Sequence, residues 1–268
     1  MKIAVESGHY YTKDGEPCYT VPNKTRGGVR PTTLRDARKL DLVPSVTGIL
    51  NVIAKPGLER WKHEQLLLAA LTLPAIEGES VDDFARRVEQ DSKEQAKVAR
   101  ETGTAIHGSL ELAFQGKPFP LDHEFAVLEV KSALDSLFGQ QTWSAERSFA
   151  HSLGYGGKVD LWSPGCVVDY KVKEKLVKKM AYDEHAMQLC AYREGLGIPN
   201  ARIANVFVSW EGEVQIHEWD DETENERYWG MFCDLLAYWQ KFKRYWPQLG
   251  GSESATQSVT KLHLTTED

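Results

Sequence analysis

The sequence predicts an α/β fold with an all-helical N-terminal flank, on three observations from the 268-residue chain. Three short segments of alternating polarity follow one another at 142–151, 156–162 and 166–172. An amphipathic helix at 182–197 and a β-branched strand at 202–210 come next. Upstream, between residues 58 and 138, apolar residues recur at helical spacing. A length of this order allows one or two domains.

The elements follow in order. Residues 9–21, HYYTKDGEPCYTV, alternate around Asp14-Gly15 and predict a hairpin. Residues 23–41 are a basic loop holding Arg26, Arg30 and Arg35; it is either a solvated, mobile loop or an arm that grips phosphates. VPSVTGILNVI (43–53) is apolar and stops at Pro56-Gly57. LERWKHEQLLLAALTL (58–73) is a helix that ends at Pro74. Ser80 with Asp83 forms a capping box that opens a helix to about residue 100. Gly103 is expected to interrupt it, and TAIHGSLELAF starts another that ends at Pro118 and Pro120. Residues 122–138 give one more amphipathic helix.

After the three strands, Asp183 is the expected N-cap of helix 182–197, and Gly197 lies near its C-cap. RIANVFVSW (202–210) is apolar enough to be buried on both faces. EVQIHEW (213–219) is a further strand, and 222–245 a last, aromatic-rich helix. The three consecutive strands predict an antiparallel meander, which strand 202–210 joins by a crossover. The expected domains are 1–100 (hairpin, basic loop and helical elaboration), 101–248 (core) and 249–268, a polar tail expected to be disordered.

Composition sets limits. The formal net charge is -7, which excludes a basic surface throughout, although a local basic cluster suffices to engage phosphates. Cys18, Cys166, Cys190 and Cys233 are scattered with no CxxC pair, so neither a zinc ribbon nor an iron–sulfur cluster is expected. A reducing, intracellular compartment fits them. The opening MKIAVESGHYY lacks the pattern of a secretory signal. No apolar run approaches the roughly 18 residues of a membrane span. A Walker A motif is absent, since GYGGKVD has neither its spacing nor the following Ser or Thr.

The chemistry concentrates in GYGGKVDLWSPGCVVDYKVK (154–173). Side chains at i and i+2 share a strand face, so Asp169 and Lys171 point the same way. If 156–162 pairs with 166–172 across Ser163-Pro164-Gly165, Asp160 lies beside Asp169. Two adjacent carboxylates force one to hold a proton or recruit a divalent cation, and oxygen-rich ligation suits Mg²⁺ or Mn²⁺. Lys171 then faces the reacting centre. An Asp-x-Lys on an exposed strand is ordinarily just solvated. Against that stand the apolar neighbours Cys166, Val167 and Val168, which make a bare charge expensive. His107 and Glu111 also lie one turn apart on the preceding helix, Gln188 and Tyr192 one turn apart on the following one, and Glu146 on the first strand.

Together GGKVDLW, VVDYK and QLCAY resemble the PD-(D/E)XK nuclease superfamily, with Val159-Asp160 in place of its P-D and Asp169-Tyr170-Lys171 as its (D/E)-x-K. Gln188 and Tyr192 resemble the Q-x-x-x-Y motif of the RecB-like branch, and GTAIHGSLE (103–111) its helical motif. VPSVTGIL with LERWK is similar to the N-terminal part of phage exonucleases and of mitochondrial genome maintenance exonuclease. The resemblance covers about residues 100–210 and implies a restriction-endonuclease-like α-β-β-β-α-β core with a central mixed sheet. It implies one or two Mg²⁺ or Mn²⁺ ions held by His107, Asp160, Asp169 and the Tyr170 carbonyl. Lys171 orients the attacking water, Gln188 orients Lys171 or a phosphate, Tyr192 contacts DNA, and Glu146 binds a second metal or acts through a water. Lys173, Lys175, Lys178 and Lys179, with Arg26, Arg30 and Arg35, become the candidate phosphate clamp.

The implied activity is metal-dependent hydrolysis of DNA, most simply by an exonuclease acting on single strands or duplex ends in phage-type recombination, repair or replication. A structure-specific or restriction-like endonuclease and a catalytically silent DNA-end-binding protein are the alternatives. A single-strand annealing or replication protein is the implied protein partner, and the cytoplasm of a bacterial or phage-infected cell the implied location. No membrane association is expected, and nothing in the sequence encodes an oligomeric state.

Overall fold

The computed structural model describes residues 8–23, 25 and 27–247. Arg26 and the tail expected to be disordered lie outside them. The chain divides into two compact units, Met1–Ile49 with Ser148–Gly157 and Leu236–Asp268, and Leu50–Arg147 with Lys158–Leu235.

In the first unit, β1 (Tyr10–Tyr11), β2 (Thr20–Pro22) and β3 (Val29–Pro31) precede α1 (Leu34–Leu40), β4 (Val43–Pro44) and α2 (Val46–Leu50). The turn at Asp14-Gly15 forms as expected, closed by Thr12 N–H on the Glu16 carbonyl (2.8 Å) and Gly15 N–H on that of Thr12 (3.0 Å). Yet β1 pairs with β4 and β2 with β3, so the hairpin over 9–21 reduces to the isolated Tyr11–Pro17 bridge. Of the basic segment, residues 27–41 include β3 and α1. Thr33 caps α1 in a capping box with Asp36, and Arg30 grips Asp36 in a bidentate pair at 2.7 and 2.8 Å. Tyr10, Ala37 and Leu42 form a small core closed by Cys18 and Tyr245.

The second unit opens with α3 (Pro56–Thr72), α4 (Val81–Phe114) and α5 (Glu124–Phe138). Ser80 caps α4 as its spacing predicts, its hydroxyl oxygen accepting the Asp83 N–H at 3.1 Å. The expected break at Gly103 does not occur, and α4 is one helix of 34 residues. The boundary expected between residues 100 and 101 therefore falls inside a helix. A single interior glycine costs a helix only about 1 kcal/mol, which packing along the rest of α4 outweighs.

Next come β5 (Ser144–His151), β6 (Tyr155–Ser163), β7 (Cys166–Lys173), α6 (Asp183–Gly195), β8 (Arg202–Ser209), β9 (Val214–Glu218) and α7 (Glu222–Lys243). The strands form one mixed sheet in the order β5-β6-β7-β8-β9. β6 and β7 are antiparallel, β7 and β8 parallel through the α6 crossover, and β8 and β9 antiparallel. The fold is thus mixed α/β around a five-stranded sheet. One sheet face presents Leu161, Val168, Tyr170, Val206 and Val208 to Ile106 and Leu110 of α4 and Val130 and Leu134 of α5. The alternate residues of β7 and β8 face α6, where Gln188 meets Asp169 and His185 meets Phe207. β8 is buried along all but its first residue, as its composition predicts. Asp183 is the first helical residue of α6 rather than its cap; Tyr182 is the N-cap. Gly197 follows the C-cap in the left-handed region at φ 71°, where a residue lacking Cβ is favoured. Among the described residues no helix is long and apolar enough to cross a membrane.

The continuity of α4 is testable. A Cβ added at Gly103 meets the Val172 Cβ at 3.8 Å, an ordinary contact. Gly103→Ala is expected to stabilise the protein by about 0.5–1 kcal/mol in urea unfolding. A loss of stability would contradict a plain helical backbone at that position.

Candidate active site

The site forms where β6 parts from β7. The ladder runs from Ser163↔Cys166 to Leu161↔Val168, and one further step of that register sets Asp160 opposite Asp169. At that point a side chain takes over from the ladder: the Tyr170 N–H donates to Asp160 Oδ2 at 2.8 Å. The same oxygen lies 3.0 Å from His107 Nε2 on α4. The helical motif, the P-D-like strand and the (D/E)-x-K strand thus meet at one place.

Asp169 is held differently. Its side chain is only 4% exposed, so its charge requires close compensation. Lys171 Nζ reaches Oδ2 at 2.6 Å, Asn205 Nδ2 donates to Oδ2 at 2.9 Å, and Gln188 Nε2 donates to Oδ1 at 2.8 Å. Gln188 also receives Lys171 Nζ on its carbonyl oxygen at 3.0 Å and donates to the Tyr192 hydroxyl at 2.8 Å. Gln188 therefore orients Lys171, one of the two roles expected for it. Tyr192 is 5% exposed, and its visible part is to anchor Gln188.

One ligand atom from each of His107, Glu146 and Asp160 lies within 4.8 Å of the others. The set differs from the expected His107, Asp160, Asp169 and Tyr170. Asp169 lies outside this group, and its oxygens are contacted by Lys171, Asn205 and Gln188. Tyr170 stands beside the group, its N–H on Asp160 and its ring edge-on to His107 at 5.6 Å. Glu146 is drawn in by its backbone: its φ is 61° inside β5, a conformation that costs a non-glycine residue about 1–3 kcal/mol. Its Oε2 is buried without a hydrogen-bond partner, with the Lys158 ammonium against it as an ion pair. One imidazole nitrogen and two carboxylates, one of them paired with Lys158, are donors of the kind that suit a hard or borderline divalent cation such as Mg²⁺ or Mn²⁺.

Charge within the group is strongly coupled. Burial pushes the Asp169 carboxyl above its ordinary value, with the Asp160 charge adding and Lys171 and His107 opposing. Burial also disfavours charge on Asp160, but His107, Lys171 and the Tyr170 N–H prevail and hold it below its ordinary value. For His107 burial works downward, and Asp160 and Asp169 more than reverse it. On the other side of Lys171 the surroundings are cationic. His185 is pushed down to about 3 by burial and then by Lys171, Lys173 and Lys55, so it is neutral.

The remaining expected residues divide. Lys173, Lys175, Lys178 and Lys179 are exposed on the end of β7 and the segment after it. Arg30 and Arg35 belong to the first unit. Arg35 is exposed on α1, whereas Arg30 is occupied by Asp36 and is not the open phosphate contact expected. Sequence reasoning missed Lys158 and Asn205. Asn205 is fully buried, lies opposite Asp169 in the parallel register, and accepts the Trp219 indole N–H at 3.0 Å. The available signal was one amide within the otherwise apolar RIANVFV.

Two outcomes follow from this geometry. Asn205→Leu removes a donor from Asp169 and strands the Trp219 N–H, so urea unfolding should show a loss of about 1–3 kcal/mol. The raised His107 group stabilises the fold when protonated. That contribution is complete below its unfolded value of about 6.5 and is lost as pH rises through the folded value; the lowered Asp160 contributes above about 3.9 and loses its contribution as pH falls. Measured without divalent ions, the stability difference between the wild type and His107→Gln should be largest between those limits and shrink as the pH rises through the folded His107 value.

No protein-family model matches the chain, and no curated protein matches it. A solved structure described as the crystal structure of SSO0001 is similar at 14% identity over 66% of this chain and 86% of its own, with a TM-score of 0.31. A likeness of that size carries no argument about fold family or activity.

Proposed function

We propose that this chain is a divalent-metal-dependent deoxyribonuclease of the PD-(D/E)XK superfamily, of its RecB-like branch, and that it acts as an exonuclease. One observation carries the reading: the residues picked out by motif fall into two contact groups at adjoining positions of β6 and β7, His107 with Asp160 at 3.0 Å, and Asp169 with Lys171, Gln188 and Tyr192 at 2.6–3.0 Å. The order α4, α5, β5, β6, β7, α6, β8 is compatible with the restriction-endonuclease-like topology of helix, three strands, helix and strand, with one helix more than that core before the first strand.

His107, Glu146 and Asp160 would hold the ion, with Asp169 adjacent. Bound there, a divalent cation supplies Lewis acidity toward a phosphodiester oxygen and lowers the pKa of water. The rest falls to the chain. Lys171, fixed by Asp169 and Gln188, keeps a localised positive charge at the mouth of the site, where a phosphate gains charge as it is attacked. Asn205 in turn holds the Asp169 carboxylate that faces this ammonium. Lys173, on the same strand face two residues on, extends the cationic lining toward Lys175, Lys178 and Lys179, a path for a phosphodiester backbone. The substrate is DNA, as single strands or duplex ends; a single-strand annealing or replication protein is the partner that such an activity would serve, in a bacterial or phage-infected cytoplasm.

End-labelled single- and double-stranded DNA, digested with Mg²⁺ or Mn²⁺, tests the reading. EDTA should abolish hydrolysis, and Ca²⁺ should support binding without turnover. Asp169→Asn, which keeps the side-chain shape but turns one acceptor into a donor, and Lys171→Gln should each lower the rate about a hundred- to a thousandfold while the protein stays folded. A covalently closed circle should survive, and its cleavage would reassign the enzyme as an endonuclease. Hydrolysis that persists in EDTA, or in Asp169→Asn, would overturn the assignment.

A further inference from the structure

Exposed aromatic rings gather at the end of α7, in the first unit. Tyr238 and Phe242 are 54% and 62% exposed, with ring planes within 9° of parallel and centroids 5.8 Å apart. Trp246, just past the helix, is 54% exposed. Cations surround them. Lys241 and Arg244 are exposed, and Lys243 Nζ lies 4.9 Å from the Phe242 ring centre. The C-terminal half of α1 is fastened to the same place. Arg38 donates to the Lys243 carbonyl, and the Tyr245 hydroxyl donates to the carbonyls of Ala37 and Leu42 at 3.0 and 2.8 Å. Two acids in and beside α1 already have cationic partners, Asp36 in Arg30 and Asp41 in Lys13.

We propose that this face binds single-stranded nucleic acid, with bases stacked on Tyr238, Phe242 and Trp246 and phosphates held by Arg38, Lys241 and Arg244. Flat rings in water accept an unpaired base of any identity, and interleaved cations follow the backbone. Duplex DNA hides its base faces, so the rings favour single strands. A second copy of the same face would bring cations against cations. An acidic peptide would use the charges and leave the rings uncovered.

The inference goes beyond the hydrolytic reading and does not rest on it, since binding is measured in EDTA. The probe is a fluorescein-labelled oligothymidylate of about 20 residues, followed by anisotropy at about 50 to 200 mM salt. Tyr238→Ala/Phe242→Ala should weaken binding about tenfold or more, and Tyr238→Trp/Phe242→Trp should restore it. Lys241→Glu/Arg244→Glu should weaken it too and flatten the slope of log affinity against log salt by about 1.4, the share of two phosphate contacts. A blunt duplex of equal length should lose less than about threefold in the aromatic variant. All these positions are exposed, and circular dichroism with thermal melting verifies folding. Oligothymidylate affinity unchanged within about twofold in both variants would overturn the proposal. So would an equal loss for duplex and single strand in the aromatic variant. Loss of binding to anionic vesicles, or of self-association, with oligothymidylate affinity intact would assign the face to a membrane or to a second copy instead.

Discussion

A carboxylate buried in the interior of an α/β sheet organises the second unit. Asp169 keeps almost no contact with water, and an isolated charge there would cost several kcal/mol. Each element packed around it answers with a donor: Lys171 from its own strand, Asn205 from the parallel neighbour, Gln188 from the crossover helix. Two of these donors are held in turn, Asn205 by Trp219 and Gln188 by Tyr192. The parallel pairing of β7 with β8 and the seating of α6 are therefore constrained by polar geometry as much as by apolar burial.

Asp160 occupies the matching position on β6 and is treated differently. Its partners are the Tyr170 N–H and the His107 imidazole, and it keeps a negative charge where Asp169 is pushed toward its neutral form. Their surroundings thus push the two carboxylates in opposite directions. Glu146 completes the group through a backbone conformation unfavourable for its residue type, stabilised by Lys158.

Much of this was legible in the sequence. Period-2 alternation located β5, β6 and β7, and the unbroken apolar run of β8 announced burial on both faces. The i, i+2 rule put Asp169 beside Lys171, and the short turn after Ser163 put Asp160 beside Asp169. What escaped the reading has physical causes. Gly103 reads as a breaker because local propensity is blind to the packing that carries α4 past it. Arg30 reads as a free cation because nothing local announces its grip on Asp36 across the start of α1. Glu146 meets His107 and Asp160 through a left-handed φ that glutamate gives no sign of favouring. Asn205 acts across strands, and its partner is known only once β7 and β8 are parallel and in register.

The first unit is drawn from three stretches of chain, and the Tyr245–Leu42 hydrogen bond spans 203 positions. During synthesis at about 5–20 residues per second, the opening residues leave the ribosome many seconds before the segment that covers them exists. The hairpin of β2 and β3 and helix α1 must wait with one side uncovered, exposed to chaperones and proteases alike. The second unit, whose sheet and helices lie within one nearly continuous stretch, meets its own partners sooner. The contacts of Tyr245 with Ala37 and Leu42 thus close only after the segment between them has been made.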